Sequence, residues 1–399
     1  MVRVTYIFGT GVTEAERGYT SWDSSFLTDA ITEKIVEKIS RDDPILKNIV
    51  NELIVNTDDE PSGEECEPGI DVEYYVKLLE DIGQDDYTKA AEDLKKYFEI
   101  HSSRSVNKHG RSIDIEHYIT LFETIDDAEY KKAARTLKSY FQDYFKQNLF
   151  SGENRLHPHL TQALLDYHKI PGVNETLNGV ISLNYEDLTD LAFRNVYGGV
   201  NYNIKILSQN LDQAIPPLLK LHGSFNWKKT SPISVVDRIT ELSESDTYWI
   251  PPGVLKNKEV YPYNMIWGRA REIMIDCEVL RIVGCSLNRN DWGLLELLFQ
   301  TQRLANGKRG FNIELIDFND VGQNIKQSYP FLRNLETLYD LADLRKLHEL
   351  NKDVDISNYW SDTQNIFEAW LKMKGELLEA RQIEITSHNP HFSKFMGYS

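Results

Sequence analysis

Five short apolar runs constrain this chain more than any other feature: Val4 to Phe8, Val180 to Leu183, Leu218 to Leu221, Leu280 to Val283 and Ile313 to Ile316. Each is short and rich in Val, Ile, Leu and Tyr, which is the pattern of buried strands. Each also ends in small or polar residues. The runs lead into GTGVT, NYED, HGS, GCSLNRND and DFND respectively. Ligands of open α/β sheets sit outside the carboxyl ends of the strands, so five such ends point to one shared site.

Roughly 170 mostly helical residues separate the first two runs, too many for a simple crossover, which predicts an inserted helical layer. The insertion contains a repeat: Asp71 to Phe98 aligns without gaps to Asp114 to Phe141 at an offset of 43, with 14 of 28 positions identical. Tyr75, Leu78 and Ile82 recur as Tyr118, Leu121 and Ile125. Their spacing gives each copy an apolar stripe on one helix face. Two copies are too few for a solenoid, so the reading is a duplicated helical hairpin packed on the sheet, with a lid or a subunit interface as alternatives. The acidic, Pro- and Gly-broken stretch Thr57 to Pro68 reads as an exposed loop leading into it. From Asn334 to Gln382 the chain is charged and reads as helical, and the last residues read as a loosely ordered terminus.

Lys and Arg total 44 against 62 Asp and Glu, a formal charge of -18. Such a field repels phosphate backbones, which argues against direct nucleic-acid binding. No apolar run approaches the roughly 20 residues of a membrane span, and the chain enters a strand at once, so it is expected to be soluble and cytoplasmic. Only Cys66, Cys277 and Cys285 are present, without a CxxC pair, so neither a disulfide framework nor a four-cysteine zinc site can be built. Cys285, inside IVGCSL, reads as a buried small hydrophobe.

Gly9 and Gly11 directly follow the first strand, where glycines let backbone N–H groups approach a phosphate at a helix start. A dehydrogenase fingerprint would place a third glycine at Glu14, which argues against ordinary hydride transfer. Asn184 and His222 stand at two further strand ends. An amide that holds water, an imidazole that accepts a proton and a phosphate cradle form a minimum set for cutting a nucleotide sugar bond. His157, His159 and His168 make a weaker set with no evident acidic partner for a metal, and Pro158 reads instead as a helix start. Trp249 to Pro252 and Trp267 read as walls of the sheet.

In this order and context GTGVT, NYED, KLHGSFNW, WIPP and VGCSLNRND resemble the sirtuin-like domains of bacterial antiphage defence proteins, over roughly residues 1 to 330. The resemblance implies an α/β, Rossmann-like, mostly parallel sheet with helices on both faces. On that reading residues 1–333 form the NAD-binding domain, with the helical insertion at about 60–150, and residues 334–399 form a C-terminal helical extension. It implies that Asn184 and His222 are catalytic. Gly9, Gly11, Thr13, Glu186, Gly284, Ser286, Asp317 and Asn319 would bind the dinucleotide. Glu186 stands where relatives usually carry Asp, and Gly18 to Asp23 would line the nicotinamide side.

Sirtuin deacylases need two cysteine pairs for a zinc module, which this chain lacks, so no zinc or other metal is expected. Water then becomes the acceptor, and the resemblance implies an NAD glycohydrolase that releases nicotinamide and ADP-ribose. Such an enzyme needs a gate. No GxxxxGK[ST] loop or other sensor motif occurs in the chain, so the trigger is expected in self-association into a homo-oligomer, or on a DNA-translocating ATPase or Argonaute-like partner. The alternative is a module that binds NAD or ADP-ribose without turnover; a pure scaffold would leave the strand-end motifs to coincidence. Arg289 leaves a preference between NAD and NADP open.

Overall fold

The computed structural model describes residues 1–17, 25–49, 115–125, 127–151, 154–169, 174–204, 214–237, 239–252, 260–287, 291–305, 312–317, 325, 332 and 335–340. The first repeat copy at 71–98, the segment 18–23, Arg289, Asn319 and the chain beyond 340 lie outside the described residues.

The sheet is built around β1 (Val2–Phe8), whose residues from Val4 to Phe8 are all buried, so both of its faces are covered. On one side it pairs in parallel with β4 (Glu175–Ser182), on the other with β9 (Val279–Val283). β5 (Leu218–Lys220) extends the sheet beyond β4, while β10 (Asn312–Asp317) and β11 (Leu335–Asp340) extend it beyond β9. The order is β11-β10-β9-β1-β4-β5. Counted along the chain as six strands this is 6-5-4-1-2-3, the doubly wound order of dinucleotide-type sheets, with its switch point between β1 and β9. Phe8 is level with both Ser182 and Val283, so the loops leaving β1, β4 and β9 start at one height.

All five runs read from the sequence as strands are strands of this sheet. β11 was not expected: Leu335–Asp340 pairs with β10 where a helical tail was read from Asn334 onward. Its LETLYD is a short alternating run within charged sequence, and pairing along the open edge of β10 decides its conformation. The sheet therefore runs past residue 333 to Asp340.

Helices α1 (Thr10–Arg17), α2 (Thr28–Asp42), α3 (Ile115–Thr124) and α4 (Ala128–Asn148) precede a small ribbon of β2 (Phe150–Ser151) and β3 (Asn154–Arg155), and α5 (His159–Tyr167) follows, opening directly after Pro158. After β4 comes α6 (Leu188–Tyr197). β6 (Gly223–Lys228), β7 (Ser234–Val235) and β8 (Thr247–Trp249) form a separate antiparallel sheet, so KLHGSFNW is two strands with His222 at the turn between them. α7 (Tyr263–Asp276) leads to β9 and α8 (Trp292–Ala305) to β10.

The helical layer has its own core. α4 begins at Asp127, whose carboxylate accepts from the Glu129 and Tyr130 amides and satisfies two orphan donors. Leu137, Phe141 and Phe145 recur at helical spacing and pack with Ile31, Ile35, Ile119 and Phe122 of α2 and α3. Tyr185, Phe225 and Trp249, which come from strand-end loops and the small sheet, complete the same cluster. Phe141 stacks on Trp249 at 5.6 Å and meets Tyr185 edge-on at 5.6 Å. Each such buried ring contributes about 1.5–3 kcal/mol from burial, so the layer is held firmly against the strand-end loops.

Candidate functional site

At the switch point two loops meet backbone on backbone. Gly9 N donates to Val283 O at 3.0 Å and Gly11 N to Gly284 O at 2.8 Å. A Cβ on Gly9 would lie 2.5 Å from Gly284 O, and one on Gly11 would lie 2.7 Å from Gly284 Cα. Gly284 itself has φ +56°, and its Cβ would fall 2.3 Å from Val12 N. The glycines are therefore required to close this contact, and the Gly9 and Gly11 amides are already donated within the protein. Glu14, where a dehydrogenase would carry glycine, is a buried carboxylate accepting from Arg17, from Ser25 Oγ at 3.1 Å and from Phe26 N at 2.9 Å. It ties the chain at 25–26 to α1.

Beside the glycines, Thr13 Oγ1 donates to Glu186 Oε1 at 2.7 Å. Asn184 Nδ2 donates to Thr13 Oγ1 at 3.2 Å and to Gly9 O at 3.0 Å. Three sequence-predicted residues from two strand ends thus form one hydrogen-bonded chain. They line a small pocket whose other walls include Thr10, Tyr185 and Glu116 and the apolar Ile31, Phe141 and Phe145. Its free volume is about 10 Å³, room for about one water-sized group, so a larger ligand has to part the lining residues. Among the described residues Asn184 Oδ1 and Glu186 Oε2 are buried acceptors without a hydrogen-bond partner. An orphaned buried acceptor costs about 1–3 kcal/mol, and a donor-bearing ligand would recover it. Burial pushes the Glu186 carboxyl above its ordinary range, opposed by the Lys220 ammonium and the Thr13 hydroxyl. Beneath the loop, buried Lys220 donates to Glu186 O at 2.5 Å and to Asp190 at 2.8 Å.

His222 is buried and does not line this pocket; its ring lies 5.9 Å from that of Tyr185. Its Nε2 lies 2.9 Å from Asp291 Oδ2. Asp291 also caps α8, accepting from Leu294 N at 3.3 Å. Tyr185, which lines the pocket and adjoins His222, donates its hydroxyl to Glu116 Oε1 at 2.5 Å. Through Glu116 the helical layer contributes a carboxylate to the pocket.

Ser286 is exposed in the loop after β9, and Asp317 is buried at the end of β10, whose Ile316 O accepts from Gly284 N at 2.9 Å. Asn319 lies outside the described residues. Cys285 is a free, buried thiol that burial pushes up to about 12, as expected of a packing residue. Trp267 Nε1 donates to Leu221 O at 3.1 Å and so frames the His222 turn. His157 and His159 lie ring to ring at 5.9 Å, while His168 bonds the Tyr6 hydroxyl at 3.0 Å. Among the described residues no group of three His, Cys, Asp or Glu is placed to hold a metal.

Sequence reasoning missed Asp291, Tyr185 and Glu116. Asp291 left a legible signal, an Asp directly before the apolar helix WGLLELL, which marks an N-cap. That its second oxygen reaches His222 depends on the sheet order.

Strand order and polar cluster together define a doubly wound α/β protein with a small pocket beside its switch point, at the ends of β1 and β4. No family model and no curated protein matches the chain. Similar solved structures include a Sir2 homologue in complex with NAD, 11% identical, with a TM-score of 0.38 over 88% of this chain and 90% of that one. A Sir2 homologue mutant in complex with ADP-ribose is 12% identical, with a TM-score of 0.34 over 88% of this chain and 94% of that one. A structure of Sir2Tm bound to a propionylated peptide is 15% identical, with a TM-score of 0.33 over 59% and 90%.

Proposed function

We propose that this chain hydrolyses NAD+ to nicotinamide and ADP-ribose. The observation that carries the reading is the Asn184–Thr13–Glu186 chain beside the switch point, with its two orphaned buried acceptors. A ribose presents hydroxyl donors at the spacing of neighbouring ring carbons, and Asn184 Oδ1 and Glu186 Oε2 supply acceptors for them. On this reading the nicotinamide ribose docks at the mouth of this pocket and parts its lining, and the remaining dinucleotide extends toward the ends of β9 and β10, where Gly284, Ser286 and Asp317 stand, with Asn319 following in the sequence.

In the reaction the bond between C1′ and the pyridinium nitrogen breaks, and nicotinamide leaves as a neutral base with the bonding electron pair. The oxygen of water bonds to C1′, and its proton passes to His222 and then to solvent. The leaving group needs no protonation, so positioning dominates: the ribose must be clamped and water aligned on one face. Without the cysteine pairs of a zinc module, and with no metal required for this chemistry, water is the acceptor in place of an acyl-lysine.

An NAD hydrolase would deplete the cell that makes it. We therefore read the activity as an antiviral one, cytoplasmic and held quiet until homo-oligomerisation or a partner, such as a DNA-translocating ATPase or an Argonaute-like protein, releases it. No helix among the described residues is long and apolar enough to cross a membrane. The test is nicotinamide release from NAD+ by the purified protein, alone, concentrated and with co-expressed partner, beside Asn184→Ala and His222→Ala. Loss of release in both variants supports the reading. NAD+ that raises the melting temperature without any release under every condition replaces it with a non-catalytic NAD or ADP-ribose binding module.

A further inference from the structure

We propose that Asp291 is a positioning residue for the same reaction: it fixes the tautomer and direction of the His222 imidazole. This rests on the hydrolase reading for its kinetic consequence, but the geometry stands independently. His222 follows β5 and Asp291 follows β9, and in the sheet these strands are separated by β4 and β1. Strands lie about 4.8 Å apart, so the two elements are roughly 14 Å apart at sheet level, and their residues meet across the ends of the two strands that carry the glycine turn and Asn184. That is the crevice in which ligands of doubly wound sheets lie.

Both partners are buried, His222 at 2% exposure and Asp291 at 4%. The carboxylate is held from two sides: Oδ1 by the Leu294 amide at the start of α8, and Oδ2 by His222 Nε2. A carboxylate accepts from an imidazole N–H, so the proton resides on Nε2 and the lone pair on Nδ1. A base that must take a proton from water or a ribose hydroxyl needs that lone pair fixed in direction. A side chain already locked as a helix cap provides such fixation without a mobile intermediary. The aromatic rings of Tyr185 and Trp267, at 5.9 and 6.4 Å, bound the imidazole on other sides.

The experiment uses Asp291→Asn and Asp291→Glu in the full chain. Asn caps helices as well as Asp does, so the fold is retained, but its amide can donate to Nε2 and reverse the tautomer. The expected result is a fall in kcat of about 10²- to 10⁴-fold for Asp291→Asn, with KM changed little and with partial recovery in Asp291→Glu. Nitrogen NMR of ¹⁵N-histidine-labelled protein, with the His222 signal assigned by its loss in His222→Ala, reads the tautomer directly. The expected signature is Nε2–H in the native protein and its loss in Asp291→Asn. An unchanged tautomer, or a kcat within threefold of native, overturns the proposal. If the native protein releases no nicotinamide, the hydrolase reading fails by itself, and the NMR signature still decides whether Asp291 controls the imidazole.

Discussion

Gly284→Ala is the sharpest probe of the switch point. Its φ of +56° lies in the left-handed region, which costs an L-residue roughly 1–2 kcal/mol. The added Cβ would sit 2.3 Å from Val12 N and 2.5 Å from Gly11 C, both backbone atoms that cannot rotate away. Forced repacking of that kind adds about 1–3 kcal/mol, so the total is about 2–5 kcal/mol. Against a typical stability of about 5–15 kcal/mol this is a large fraction, and for a chain of this size it corresponds to a melting temperature lower by about 2–6 °C. Gly268→Ala is the matched control. It lies within α7 with nothing inside 4 Å of its Cβ, so the substitution should stabilise by up to about 1 kcal/mol through helix propensity. Urea unfolding followed by circular dichroism measures both, and NAD+-dependent thermal shift reports whether the loop contact also shapes the site. Equal midpoints for Gly284→Ala and native protein would refute the reasoning that β1 and β9 meet through backbone alone.

Three other perturbations test separate parts of the structure. Lys220→Met removes the buried counter-ion of Asp190, whose Oδ1 keeps the Tyr202 hydroxyl and Asn226 amide, and should cost about 3–5 kcal/mol by urea unfolding; a change below 1 kcal/mol would mean that the pair does not support the NYED loop. Thr13→Val removes the donor to Glu186 and an acceptor for Asn184, each worth about 1–3 kcal/mol when orphaned, and should weaken NAD+ binding by calorimetry at least tenfold; unchanged affinity argues against this chain as the ribose subsite. His168 is held down to about 3 by burial and by the Arg281 guanidinium, below its unfolded value of 6.5. Its stabilising contribution is therefore full above pH 6.5 and is lost as pH falls from 6.5 toward 3, at up to about 1.4 kcal/mol per pH unit. Stability measured at pH 6.5, 5.5 and 4.5 should fall less steeply in His168→Gln, and parallel curves would contradict the assignment.

The five strand runs were legible because a strand covered on both faces is dominated by Val, Ile, Leu and Tyr, and the few polar residues inside them, such as Lys220, Arg281 and Glu314, are paired in the structure. The residues that end those strands were legible for the same reason, since a loop at a buried strand end carries polar groups only where they find partners. Asn184, Glu186 and Thr13 do meet, as their placement at strand ends suggested. The glycine motif was visible too, but its physical reason was not. From sequence it read as room for a phosphate, whereas Gly9 and Gly11 are first required by the backbone of Gly284, a contact between segments more than 270 residues apart.

Other features depended on the order of strands, which local sequence does not encode. LETLYD became a strand because β10 offered an open edge, and the surrounding charge hid it. Asp291 announced itself as a helix cap, yet its second role exists only because the sheet places β5 and β9 on opposite sides of β1 and β4. Glu116 lies in a repeat whose periodicity specifies a packed helix; that this carboxylate meets Tyr185 follows from where the layer docks. Apart from LETLYD, local pattern determined which segments of the sheet are strands and which residues end them. Tertiary packing decided which of those ends share a pocket, because hydrogen bonds of about 3 Å are set by the arrangement of whole elements.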